Sequence, residues 1–138
     1  MADTHHPTPF LRIANLGDAA ASGATGLLLA AGAGALAPLL GLPEGLLRDA
    51  GLVLLPYAAF VAWLGARGGA GVPRNALRGV AAINLLWALD SVLLLELGRV
   101  TPTGLGIAFV LAQAVVVLGF AGAQEAAPRG GAAVRTTA

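Results

Sequence analysis

The chain has no cysteine, no lysine, few aromatic residues and few charges, and each shortage removes a class of function. Without cysteine there is no disulfide, no thiolate metal ligand and no cysteine nucleophile. All eight basic residues are arginine, and they are dispersed along a chain of net charge +1, so no basic face exists to hold nucleic acid. The two histidines are adjacent, His5 and His6, in a polar N-terminal stretch. A pair with no further ligand near it is a poor metal site, and a solvated tail is the simpler reading. The apolar stretches contain neither His nor Cys to ligate haem, and no phosphate-binding loop is present. The sequence therefore predicts no metal, no cofactor and no catalytic residues, and an enzyme would have to work with lone carboxylates.

What remains is strongly apolar. Hydrophobic residues make up 57% of the 138 and charged residues 11%, with a mean hydropathy of +0.82. That is too apolar for a water-soluble domain with a polar shell, and too short for a bundle plus a separate catalytic module. Four long apolar stretches fill the chain, opened by Thr8-Pro9, Leu42-Pro43, Val72-Pro73 and Thr101-Pro102. Proline suits the first helical position, where its missing N–H costs nothing. The expected helices are 9–40, 43–67, 73–99 and 102–124, flanked by disordered tails at 1–8 and 125–138. A bilayer core about 30 Å thick takes about 20 helical residues, so each stretch can span it with some tilt. The short connections force consecutive helices to be antiparallel neighbours. The predicted fold is all-α: a membrane-embedded, up-down-up-down, antiparallel four-helix bundle.

Arg12, Arg67, Arg74, Arg78, Arg129 and Arg135 fall on one side of that bundle, and only Arg48 and Arg99 on the other. This asymmetry predicts both termini in the cytoplasm. Arginine without lysine, beside abundant Ala, Gly and Leu, is what GC-rich coding DNA yields and suits a bacterial inner membrane. Arg12 ahead of an apolar run imitates a secretion signal, but the polar stretch 15–25, with Asp18 and Ser22, interrupts the pattern, and an uncleaved first helix is expected.

Apolar burial gains little in lipid, so helices must associate by close packing and polar contacts. Helix 1 carries Ala19, Gly23, Gly26, Ala30 and Gly34 along one stripe, and helix 2 carries Ala58, Ala62 and Ala66 at four-residue spacing. Both read as packing seams, with Leu54 facing lipid. Pro56 removes a backbone hydrogen bond from the middle of helix 2 and predicts a kink there.

The sharpest polar signal is in helix 3, where Asn84, Trp87, Asp90 and Ser91 fall within an arc of about 120° at 100° per residue. Asp90 lies about 13 Å along the helix from Arg99, well inside the apolar layer, where a carboxylate needs a proton, hydrogen bonds or water. Gln113 lies about 16 Å into helix 4 and Tyr57 about 15 Å from Arg67, so both come to a similar depth. Asp90, Gln113 and Tyr57, with Asn84, Trp87 and Ser91, form the expected buried polar cluster. A second, shallower group joins Asp18 and Asn15 to Asn84, with Arg12 or Arg78 reaching towards Asp18. For Asn84 and Gln113 interhelical glue is the preferred reading, each contact worth about 0.6 to 2 kcal/mol in a membrane, whereas Asp90 reads equally as a functional site. Glu96 is expected to pair with Arg99.

The stretch Asn84-Leu-Leu-Trp-Ala-Leu-Asp-Ser91, followed by Thr101-Pro-Thr-Gly-Leu-Gly-Ile-Ala-Phe-Val-Leu-Ala-Gln113, resembles the second half of small uncharacterised bacterial inner-membrane proteins with four helices. The resemblance implies a four-helix integral membrane protein and no particular activity. Three functions fit these residues: an accessory subunit or assembly partner, a small oligomeric proton- or cation-coupled carrier or channel working through Asp90, and a binder of quinone or lipid near Tyr57, Trp63 and Trp87. The first is preferred. The expected partners are the lipid bilayer and either a second copy of the chain or a larger membrane complex, with no nucleic acid.

The arginine asymmetry is open to direct measurement. Reporter fusions after Ala138 and near Gly41 should report opposite sides of the membrane, the first cytoplasmic. A C-terminus on the far side defeats the arginine count.

Overall fold

The computed structural model describes residues 4–5, 9–67 and 72–126. Four helices account for nearly all of them: α1 (Pro9–Leu40), α2 (Glu44–Ala66), α3 (Arg74–Glu96) and α4 (Gly104–Ala126). Each is long and apolar enough to cross a membrane, with mean hydropathies of 1.6, 1.5, 1.6 and 2.3 over its most apolar window, of which only 22 to 33% is buried. The outward faces carry exposed Leu27, Leu28, Val53, Leu85, Leu86 and Val115, a surface that only a hydrocarbon solvent accommodates. The fold is therefore an all-α bundle, that of a small integral membrane protein. A two-residue strand β1 (Thr4–His5) pairs antiparallel with β2 (Val72–Pro73) beside it. Most of the expected disordered tails lies outside the described residues, although α4 runs to Ala126, past the expected end at 124.

The prolines mark the helix starts, shifted slightly from the expected positions. Pro9 opens α1, whereas Pro43 and Pro73 stand just before α2 and α3, with φ near −60° and extended ψ of 134° and 131°. At α4 the cap is not Pro102 but Thr103, whose Oγ1 accepts the Gly106 amide at 3.1 Å. The same hydroxyl donates to the Leu39 carbonyl at 2.7 Å, and the Thr103 amide donates to the Leu40 carbonyl at 3.0 Å, fastening the start of α4 to the end of α1. Glycines at positive φ, Gly41 at 64° and Gly98 at 63°, stop α1 and α3. Gly98 does so early, which leaves Arg99 outside the helix. Glu96 and Arg99 form no ion pair; the salt bridge among the described residues joins Arg48 to Glu44, one turn apart.

The helices are arranged α2–α1–α4–α3, with α1 and α4 at the centre. The expectation that all consecutive helices are close neighbours fails for α2 and α3, whose backbones scarcely approach. At the arginine-rich end their side chains meet, Val61 and Leu64 packing with Leu77, Val80 and Leu11. Towards the other end the two helices leave a lateral groove.

The α1 stripe does pack against α2, but through a different set of α2 residues. The buried side of α2 is Leu47, Gly51, Leu54, Ala58, Val61, Leu64 and Gly65. Ala62 is half-buried and Ala66 exposed, so the alanine spacing drifts off the contact; Leu54, expected to face lipid, is 7% exposed. The cause is glycine. A Cβ on Gly26 would stand 3.1 Å from the Gly51 carbonyl oxygen, and one on Gly51 would stand 2.7 Å from the Gly26 carbonyl oxygen and overlap the Ala30 backbone. Two facing glycines let the helix backbones touch and fix the register of the pair. α2 continues as one helix through Pro56, which is exposed.

Gly51→Ala should therefore lower the melting temperature of the detergent-solubilised protein, overpacking of this kind costing about 1 to 3 kcal/mol. Gly45→Ala, where a Cβ meets nothing within 4 Å, should leave it unchanged or raise it. Equal tolerance of the two substitutions would separate α1 from α2 at this point.

Candidate functional site

Asp18 is the most deeply placed charged group, with no exposed surface, and every helix sends it a hydrogen bond. Ser22, one turn on in α1, donates to Oδ1 at 3.0 Å. Tyr57 of α2, Asn84 of α3 and Gln124 of α4 converge on Oδ2 at 2.8, 3.0 and 2.9 Å. The donors are also linked to one another. Asn84 Nδ2 lies 3.3 Å from Gln124 Oε1, Gln124 Nε2 lies 3.3 Å from Asn15 Oδ1, and the Tyr57 hydroxyl is within 2.9 Å of Asn84 Oδ1. No buried side-chain polar atom among the described residues lacks a partner.

Local sequence explains the assembly. Asn15, Asp18 and Ser22 lie at i, i+3 and i+7 on α1, one helical face, and that face meets the other three helices. Asp18 stands six residues inside Arg12, about 9 Å along α1, and Asn84 stands six residues inside Arg78. The ring thus lies below the arginine-rich end rather than at mid-bilayer. The expected reach of Arg12 or Arg78 to Asp18 does not occur: both arginines are exposed, and neutral donors occupy the positions a cation would take. Four hydrogen bonds to a charged acceptor are individually strong in a medium of low dielectric.

The six residues expected to cluster around Asp90 are divided between two places. Tyr57 and Asn84 belong to the Asp18 ring, joined by Asn15 from the shallower group. Asp90, Trp87, Ser91 and Gln113 line the groove between α2 and α3. Asp90 is exposed and Ser91 half-buried, with the Ser91 hydroxyl donating back to the Trp87 carbonyl at 2.7 Å. On α3 the arc from Asn84 to Asp90 runs from a buried residue to an exposed one. One edge of that arc points into the bundle and the other into the gap left by α2. Gln124 went unnoticed in the sequence because it lies two residues from the end of α4. The available signal was an amide within the reach of an interfacial aspartate.

The groove has a volume of about 500 Å³. Its walls are Leu46, Leu47 and Val53 of α2, Leu94 of α3 with Leu97 just past its end, and Phe109 and Val110 of α4, interrupted by Asp49, Asp90, Ser91 and Gln113. A second space of about 320 Å³ lies between α1 and α4, where Ala21, Ala24 and Ala112 leave room, and it reaches Asp18 and Ser22. Trp87 and Gln113 border both spaces and stand between them. At the arginine-rich end, Arg67 lies over the Trp63 ring at 4.4 Å, and Trp63 stacks on Phe60. An aromatic–cation group of this kind suits a membrane interface, and Trp63 lines neither of these two spaces.

If the ring organises the bundle, Asp18→Leu should lower the melting temperature in detergent sharply, because Tyr57, Asn84 and Gln124 lose their common acceptor at about 0.6 to 2 kcal/mol each. Asp90→Leu should cost little. The reverse order of sensitivity would return the structural role to Asp90.

No protein-family model, no curated protein and no solved structure matches the chain, so no relative lends either place a role.

Proposed function

We propose that this chain is a non-enzymatic, multi-pass protein of a bacterial inner membrane, with both termini cytoplasmic, and that it binds a cationic amphiphile in the groove between α2 and α3. The observation that carries this is the lining of the groove. A groove walled mainly by apolar side chains, with Ser91 and Gln113 as its neutral polar groups, holds two carboxylates, Asp49 and Asp90, and no basic residue. The salt bridge between Arg48 and Glu44 takes up the nearest arginine, so neither aspartate has an ion-pair partner among the described residues. Asp49 lies about 7 Å inside the start of α2 and Asp90 about 9 Å inside the end of α3, both in the half opposite the arginine-rich end. A protonated amine at that level would compensate both acids while its tail lies along the leucines below. The volume falls within the range of about 300–1,000 Å³ usual for small-molecule sites.

A second reading, an accessory subunit or assembly partner, is favoured by the Asp18 ring, which satisfies every member and so serves as interhelical glue. In that reading the groove receives a helix of another chain or of a second copy. Purification in mild detergent followed by mass analysis separates the two, since a retained amine-bearing amphiphile supports the first reading and a retained stoichiometric protein the second.

A direct test uses the two tryptophans. In a Trp63→Phe background Trp87 is the sole tryptophan, and it borders the groove. A dodecylamine brominated near its amine should quench Trp87 with saturation, at roughly tenfold lower concentration than the equally brominated dodecanol, that factor corresponding to about 1.4 kcal/mol. The double variant Asp49→Asn, Asp90→Asn should remove the preference. Equal quenching by amine and alcohol in the parent protein rules out the charge-selective groove.

A further inference from the structure

A buried carboxylate with no ionic partner, ringed by oxygen-bearing neutral side chains and bordering a cavity, has a chemistry beyond glue. The Asp18 ring brings together Asp18 Oδ1 and Oδ2, Ser22 Oγ, the Tyr57 hydroxyl, Asn84 Oδ1, Gln124 Oε1 and Asn15 Oδ1, all within one hydrogen-bonded network. We propose that this ring is a binding site for a small monovalent cation, entered from the cavity between α1 and α4, and that the amides of Asn84 and Gln124 turn over when it is occupied. The site is independent of the groove and its ligand.

In the arrangement described, Asn84 Nδ2 and Gln124 Nε2 both point at Asp18 Oδ2, so the carboxylate is held by N–H groups. Turning either amide about its last bond exchanges nitrogen for oxygen at nearly the same position. Two carbonyl oxygens then face the carboxylate, an arrangement that repels itself when empty and becomes favourable around a cation. The hydroxyls of Ser22 and Tyr57 need only rotate to present lone pairs. Hard cations take oxygen ligands of this kind. The charge selects the valence, because one carboxylate among neutral groups is neutralised by a single positive charge. A divalent ion would keep an uncompensated positive charge beside this single carboxylate, and no group of three His, Cys, Asp or Glu occurs among the described residues to hold a transition metal.

Access follows from the small side chains of α1 and α4. Ala21, Ala24 and Ala112 open the space that reaches Asp18 and Ser22, and Gln113 at its border supplies a polar step towards the groove. Within the ring the titratable groups are Asp18 of α1 and Tyr57 of α2; α3 and α4 contribute only the amides of Asn84 and Gln124. Arg12, Arg67, Arg78 and Glu125 are exposed nearer the helix ends. The cation is therefore an alkali ion, held at that one carboxylate.

The experiment is a melting-temperature titration of the full chain in nonionic detergent, with LiCl, NaCl, KCl or choline chloride at constant ionic strength. A saturable rise with one alkali ion over choline, absent in Asp18→Asn, assigns the site to that ion. Tyr57→Phe removes one ligand oxygen while keeping the ring of the side chain, and should raise the midpoint of that titration several-fold. It serves in place of Asp18→Asn if that variant does not fold. A parent protein whose stability is the same in choline and in every alkali ion overturns the proposal.

Discussion

Helices already surrounded by hydrocarbon gain little by burying leucine against leucine, so this bundle depends on what lipid cannot offer. Asp18 supplies it. A charged acceptor inside the helices draws one donor each from α2, α3 and α4 and one from its own helix. None of those donors finds an equivalent acceptor in the hydrocarbon, and none of the helices can slide without breaking the ring. The second constraint is steric and acts on one pair only, where Gly26 and Gly51 bring the backbones of α1 and α2 into contact. Together they place α1 at the centre, with a tight glycine seam on one side and the polar ring joining it to the rest.

The openings in the bundle follow from the same two features. α1 and α2 are bound tightly to each other, and α3 is held to α4, while Thr103 fastens the start of α4 to the end of α1. Towards the other end α3 adds only the partly buried Trp87, Leu94 and Leu95 to the core that holds Leu47 and Leu54 of α2, so the polar ring and the Val61–Val80 packing close the bundle at one end and leave it more open at the other. The groove forms in that gap, and the exposed Asp49 and Asp90 come to line it. The smaller cavity beside Asp18 arises where alanines of α1 and α4 face each other. Trp87 and Gln113 stand between the two spaces, so the residues that were expected to form part of one cluster instead divide two cavities.

Much of this was legible in the chain. The four apolar stretches, the prolines at their starts and the small-residue stripe on helix 1 all act locally or through the solvent, and a linear reading captures such effects. Asn84 reaches Asp18 directly and Asn15 joins them through Gln124, since polar residues at interfacial depth have few partners other than one another. The errors share a cause. Ala58, Ala62 and Ala66 have the spacing of a seam, but which residues of a helix touch a neighbour depends on its rotation about its own axis, and Gly51 settled that rotation. Asp90 had the right depth to be buried and the wrong azimuth.

The sequence by itself determined the solvent, the number and length of the helices and their alternation, because each depends on runs of residues and on local capping chemistry. Only the tertiary structure decided that α2 and α3 stand apart, that Gln124 and Tyr57 reach Asp18, and that Asp90 faces a groove. Those outcomes rest on helix rotation and lateral order. Both are fixed by a few contacts between residues far apart in the chain, such as Gly26 with Gly51 and Asp18 with Gln124, which periodicity within one helix does not encode.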